Sequence, residues 1–110
     1  MSMRTVFVVA FAVAGCYPQT APAPGALSAN AVTWASTRWP SVTATSLATG
    51  HDLFVAKCNG CHGYPDLGTI ADDRWPDIVK TMGRKSHLAA DESDAVLHFV
   101  LAARSEQASR

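Results

Sequence analysis

The sequence has no excess of charge of either sign, and charged side chains are few. Nine Lys and Arg residues balance nine Asp and Glu residues in a chain of 110, and charged residues make up 16% of it. Neither nucleic acid nor an anionic membrane surface is therefore indicated as a partner. The length allows one small domain at most.

The chain also lacks an apolar run long enough to cross a bilayer, which takes about 20 residues. Residues 6–13 are apolar and follow Arg4, and this run has the length and flanking charge of the hydrophobic region of a signal peptide. The run ends in Val13-Ala14-Gly15-Cys16, which resembles the bacterial lipoprotein box, where cleavage precedes a lipidated cysteine. The alternative is an ordinary signal peptide cleaved near Ala14. Either way, export is expected.

These features divide the chain into three parts. Residues 1–15 are predicted to be a lipoprotein signal peptide. Residues 16–42 are rich in Ala, Pro, Ser and Thr and are predicted to form a tether with a short helix near 28–39. Residues 43–110 are predicted to form the folded domain. Lipidation of Cys16 would anchor that domain to a membrane, facing the periplasm or the cell exterior.

No convincing alternating strand pattern is present, and the periodic segments predict an all-α fold. Residues 45–58 place Leu47, Phe54 and Cys58 on one helical face, with Gly50 on the same stripe, where it indicates a close approach by another element. Thr43 or Ser46 can cap this helix.

Two further helices are predicted after the first. One begins near Asp72 or Asp73, tolerates Pro76 in its first turn, and has Gly83 just after its end. In the last helix, an i, i+3, i+4, i+7 pattern predicts a buried face that consists of Val96, Phe99, Val100 and Ala103. Arg104 is expected in the final turn of this helix.

Large apolar side chains are scarce for such a fold. Aromatic residues make up 8% of the chain, with four Phe and three Trp. Three helices over about 65 residues form a thin core for independent stability. A group other than protein, such as a haem, would supply the missing apolar volume.

The stretch CNGCH, residues 58–62, allows three chemistries: a dithiol redox pair, a zinc site, or covalent haem attachment. A redox pair belongs at a helix N-terminus after a strand, whereas Cys58 ends a predicted helix. A structural zinc site takes four ligands, and no second pair at short spacing accompanies Cys58, Cys61 and His62.

Cys-x-x-Cys-His is the attachment signature of a c-type haem. The thiols of Cys58 and Cys61 form thioether bonds to the two vinyl groups of the porphyrin, and His62 follows closely enough to bind the iron. The small residues Asn59 and Gly60 suit a backbone that approaches the macrocycle. Export supports this interpretation, because such haem is attached outside the cytoplasm.

Residues 43–104 resemble a small monohaem cytochrome c domain. The stretch GHDLFVAKCNGCHG is similar to the first helix of that family, and DAVLHFVLAA is similar to its C-terminal helix. The resemblance implies three to four helices wrapped round one covalently attached haem. It also implies that the first and last helices cross closely, which would account for Gly50.

Met82 is the expected distal iron ligand, because histidine–methionine ligation is usual for electron transfer in this family. It lies 20 residues after His62 and is the one methionine left once residues 1–15 are removed. His87, in the segment just beyond, is the main alternative.

The expected function is one-electron transfer between exported redox donors and acceptors, without a small-molecule substrate and without enzyme activity. The alternatives are a haem-based ligand sensor and a small peroxidase-like haem enzyme. Both need an open iron position, which Met82 would close. A peroxidase also needs distal acid–base residues, and the sequence offers no obvious pair.

Overall fold

The structure is a computed structural model that describes residues 20–58 and 64–109. These residues form four α-helices, so the predicted all-α class is confirmed. The helices are α1 (Ala29–Arg38), α2 (Ala44–Lys57), α3 (Trp75–Lys85) and α4 (Ala90–Ala108). Two short 3₁₀ turns, Leu67–Thr69 and Asp72–Arg74, precede α3. A pair of two-residue strands, β1 (Thr20–Ala21) and β2 (Tyr64–Pro65), joins two distant loops.

Helix α2 begins at a complete capping box. The Thr43 hydroxyl accepts a hydrogen bond from the Ser46 amide, and the Ser46 hydroxyl accepts one from the Thr43 amide at 2.9 Å. Both amides would otherwise lack a partner in the first turn. The helix ends at Cys58, whose amide donates to the Phe54 carbonyl at 2.9 Å.

Helix α2 crosses α4 at Gly50, so the close approach by another element that this glycine indicates is confirmed. A Cβ atom at Gly50 would lie 2.0 Å from the carbonyl oxygen of Ala95, which no real side chain tolerates. Phe54 and Phe99 meet one turn further along, with ring centroids 5.7 Å apart. The crossing therefore holds the two helices at backbone contact and buries both aromatic rings.

The predicted faces of α2 and α4 are both buried. The largest hydrophobic cluster joins α2, α3 and α4, and a second cluster joins α1, α2 and α4. The first contains Phe54, Cys58, Leu67, Trp75, Val79, Val96, Phe99, Val100 and Ala103. The second contains Ala35, Val42, Leu47 and Ala102. Helix α4 thus packs against the other three helices and is the centre of the fold.

Helix α1 lies within the segment that the sequence indicates as a tether. Ser28 caps it by accepting a hydrogen bond from the Ala31 amide at 3.3 Å, and Ala35 is completely buried against α4. Val42 is buried in the same cluster. The packed part of the chain therefore begins well before residue 43.

The predicted end of α3 at Gly83 is wrong. Gly83 lies inside the helix, where a Cβ would stand 2.4 Å from the Ser93 hydroxyl of α4. The helix ends in a Schellman motif, in which Leu88 donates to the Gly83 carbonyl at 2.8 Å and His87 donates to Arg84 at 3.3 Å. His87 takes the left-handed position usual for glycine, with a φ of 59°. Gly83 is therefore a packing contact.

Helix α4 also extends past Arg104, so this residue is not in the last turn. Its guanidinium donates to the Asp72 carboxylate and to the Leu67 carbonyl. These bonds attach both 3₁₀ turns to α4. The side chain acts as a bridge to the loop that follows β2.

Replacing Gly50 by Ala tests the helix crossing. The added methyl group forces α2 and α4 apart, and we expect Gly50→Ala to lower the free energy of unfolding by about 3 kcal/mol despite the better helix propensity of Ala. Urea denaturation followed by circular dichroism measures the change.

Gly25→Ala is the matched control, because no heavy atom lies within 4 Å of its added Cβ. We expect this variant to be neutral, or more stable by up to about 1 kcal/mol through a more restricted unfolded chain. Equal stabilities of the two variants would contradict the close crossing at Gly50.

Candidate functional site

Cys58 ends α2 and lies in the core. Its side chain is 6% exposed and packs with Phe54 and the residues of α3 and α4 in the largest hydrophobic cluster. Cys61 and His62, the other two residues of the motif, lie outside the described residues. Of the predicted attachment site, the structure therefore describes the position of Cys58 and the chain on either side of the motif.

The chain returns to α2 directly after the motif. The Tyr64 hydroxyl donates a 2.7 Å hydrogen bond to the Val55 carbonyl, one of the carbonyl groups at the end of α2 that has no partner within the helix. The Tyr64 ring also stacks on Phe54, with centroids 5.8 Å apart and planes 23° apart. The described residues on either side of the motif, Cys58 and Tyr64, thus both contact the last two turns of α2.

Met82 of α3 faces the same apolar cavity as Cys58. Among the described residues, its wall carries no charged side chain and consists of Phe54, Cys58, Pro65, Trp75, Val79, Met82, Gly83, Leu88 and Val96. Residues from α2, α3, α4 and β2 therefore converge on it. The structure brings a thiol and a thioether together across an apolar space.

Burial controls the chemistry of Cys58. Loss of water raises the pKa of its thiol to about 11, so the group is neutral at neutral pH. Redox-active and nucleophilic cysteines have a lowered pKa, because the thiolate is the reactive form. The environment of Cys58 therefore argues against a dithiol redox pair.

His87, the alternative ligand, is not among the residues that line this cavity. It is exposed at the end of α3, while its neighbour Leu88 points into the cavity wall. The backbone at His87 is fixed by the Schellman motif described above. Met82 therefore lines the same cavity as Cys58, and His87 does not.

The other two described histidines have protein partners. The Nε2 and Nδ1 atoms of His51 each lie 2.9 Å from an oxygen, the Pro24 carbonyl and the Asp52 carboxylate respectively. The ring of His98 packs on Trp39 at 4.5 Å. Burial lowers the pKa of His98, and the nearby Asp94 carboxylate partly opposes that shift. Neither ring lines the cavity between Cys58 and Met82.

Trp75 and Tyr64 contribute to the site in ways that the periodic pattern did not predict. Trp75 is 1% exposed, and its indole N–H donates to the Ile70 carbonyl at 3.2 Å while its ring lines the cavity. The sequence signal for the role of Tyr64 is its position two residues after His62. The chain that leaves the motif there needs a side chain that attaches it to the domain.

The described residues contain neither a candidate metal-binding cluster nor a membrane-spanning helix. Within 20–58 and 64–109, no three His, Cys, Asp or Glu residues form a group that could hold a metal ion. No helix in the same two stretches is long and apolar enough to cross a membrane. The predicted signal peptide and the predicted lipidation site, Cys16, lie outside the described residues.

Comparison with known proteins gives no match. Neither a protein-family model, nor a curated protein, nor a solved structure corresponds to this chain. The interpretation of the site therefore depends on the motif, the cavity and the contacts that position them.

The Tyr64 hydroxyl provides a direct test of how the motif is held. Tyr64→Phe removes the hydrogen bond to Val55 and keeps the ring on Phe54, so we expect the free energy of unfolding to fall by about 1 kcal/mol. Tyr64→Ala removes both contacts, so we expect it to lower the free energy of unfolding further than Tyr64→Phe does. Denaturant titration of the three proteins measures both steps, and an unchanged Phe variant would contradict a role for the hydroxyl.

Proposed function

We propose that the protein is a one-electron carrier of the small monohaem cytochrome c kind. In this proposal Cys58 and Cys61 carry one c-type haem through thioether bonds, His62 binds the iron on one side and Met82 binds it on the other. The observation that carries the proposal is the apolar cavity that both Cys58 and Met82 line, because Cys58 is the first residue of a Cys-x-x-Cys-His motif.

The chemistry of the cavity fits this cofactor. Its apolar wall suits a porphyrin macrocycle, and Met82 supplies the thioether sulfur that binds haem iron in electron-transfer proteins. Net addition of the Cys58 S–H group across a vinyl group, with sulfur on one carbon and hydrogen on the other, would form the thioether bond. The cavity volume is only about 10 Å³, room for at most about one water molecule, so haem can bind only if the side chains that line the cavity move far apart.

Bound haem would supply a one-electron couple, and the chain's own residues set its surroundings. Phe54, Trp75 and Val96 exclude water from the space beside Cys58. Tyr64 fixes the chain that follows His62 by its bond to Val55. The close contact of Gly83 with Ser93 holds α3 on α4 and so sets the position of Met82.

A carrier is favoured over the alternatives because of the groups around the cavity. A haem-based sensor or a peroxidase-like enzyme needs an accessible iron position, and a peroxidase also needs an acid–base pair there. Within residues 20–58 and 64–109, the side chains that line the cavity offer a thioether in Met82 and no carboxylate or imidazole. This favours a closed, six-coordinate iron.

The proposed location follows from the N-terminal sequence. Lipidation of Cys16 would hold the protein on a membrane of the bacterial cell envelope, facing the periplasm or the exterior, together with an exported electron donor and acceptor. The equal numbers of acidic and basic residues imply weak long-range steering. Encounters with these partners should therefore depend only modestly on salt.

Covalent haem attachment is the first test of the proposal. Protein from cells that attach c-type haem should keep a peroxidase-stained band in denaturing electrophoresis. Cys58→Ala and Cys61→Ala should each weaken the stain, because each variant loses one thioether bond. Gly25→Ala is the control and should stain fully. An unstained band for the unchanged protein would overturn the haem proposal.

The distal ligand is tested by a pair of variants. We expect the oxidised protein to show the weak near-red absorption of an iron–thioether bond, and Met82→Ala to abolish it, lower the reduction potential and allow carbon monoxide to bind. His87→Gly should leave the absorption unchanged and raise stability by about 1 kcal/mol, because it relieves the left-handed backbone.

The opposite pattern would move the ligand to His87. Loss of the spectrum in His87→Gly alone would assign the iron to that side chain. Rapid carbon monoxide binding by the unchanged reduced protein would point instead to an open site, and therefore to a sensor or an enzyme.

A further inference from the structure

Residues 20–28, which we call the strap, are fixed to the body of the protein. Thr20 pairs with Pro65 and Ala21 with Tyr64 in the antiparallel strand pair. The Pro24 carbonyl lies 2.9 Å from His51 Nε2 of α2, and Leu27 packs against both hydrophobic clusters. Ser28 then caps α1. The strap is therefore attached at its start, its middle and its end.

The strap lies at one end of the fold. Between its two termini it faces the turn after β2 and the C-terminal half of α4, in a groove formed by Pro65, Asp66, Leu67, Ala103, Glu106 and Gln107. Helix α4 has 19 residues, so its N-terminal end lies about 25 Å away along the helix axis. We call the end that carries the strap and Gln107 the strap end.

Few residues separate Cys16 from the start of the strap. Four residue steps separate Cys16 from Thr20, and they span at most about 14 Å when fully extended. A free tether over residues 16–42 would instead have an average span of about 30 Å and no preferred direction. If Cys16 carries the lipid, the strap end must therefore stay near the lipid headgroups.

We propose that the strap orients the domain on the membrane, with the strap end facing the lipid surface. This inference rests on the proposed lipid anchor at Cys16. Pro65 pairs with Thr20 of the strap and also lines the cavity beside Cys58, so this cavity lies next to the strap.

Chain connectivity, and not charge, maintains this orientation. The strap end carries the acidic residues Asp66 and Glu106, which anionic headgroups would repel. The orientation should therefore also form on a neutral bilayer. A test on such a bilayer is free of electrostatic attraction or repulsion by the headgroups.

Energy transfer from two positions on α4 tests the orientation. Gln107 and Asp91 are both exposed and lie 16 residues apart on this helix, about 24 Å along its axis. Each is replaced separately by azidophenylalanine and coupled to a donor dye in the full lipidated protein, on phosphatidylcholine vesicles with an acceptor on the headgroups. We expect higher transfer from position 107 than from position 91.

A flexible Gly-Ser insertion after Gln19 is the matched variant. It lengthens the chain between the lipid and the strap without touching the strap, so it should lower transfer from position 107 and remove the difference between the positions. Equal transfer from both positions in the protein without the insertion, when it is bound to vesicles, would overturn the orientation alone.

The anchor is tested in the same preparation. Cys16→Ser should lose vesicle binding and transfer at both positions. If this variant binds as the unchanged protein does, the anchor at Cys16 is wrong and the orientation falls with it. The haem stain is independent of both results, so the failure of the haem proposal remains distinguishable.

Discussion

The backbone contact between α2 and α4 at Gly50 determines the position of most other elements. Because Gly50 has no side chain, the Ala95 carbonyl can approach it directly, and Phe54 and Phe99 pack together one turn later. Cys58 follows after two turns, on the same buried face. A wider crossing would move this thiol away from the centre of the core. The location of the candidate site is thus a consequence of one missing side chain.

A second glycine, Gly83, also allows two helices to approach closely, and this contact positions another part of the cavity wall. Gly83 brings α3 against Ser93 of α4, and its neighbour Met82 faces the space next to Cys58. Helix α4 is therefore the common support for both sulfur-bearing side chains, although it contributes only Val96 to the cavity wall. Arg104 of the same helix holds the turns that connect the two walls. The separation of the sulfur atoms depends on how closely two helices approach a third.

The helical faces could be predicted from the sequence because they depend on local periodicity. Val96, Phe99 and Val100 are buried as their spacing requires, and Thr43 caps α2 as its side chain allows. The end of α3 was predicted wrongly because glycine has two roles, ending a helix or allowing close packing, and only the neighbouring helix decides between them. The strap could not be predicted either. Its bonds join residues more than 25 positions apart and use backbone carbonyl groups, which have no signature in the sequence.

The dipeptide Tyr64–Pro65 connects the chemistry of the motif with the position of the domain. The Tyr64 side chain attaches the motif to α2, while the backbone of both residues pairs with the strap. The two functions are separable in principle, because a side-chain change leaves the backbone pairing in place. They are coupled in the folded protein, since any movement of β2 shifts both the strap and the chain that follows His62. A tether that appears from composition to be a passive spacer is therefore mechanically linked to the proposed cofactor site.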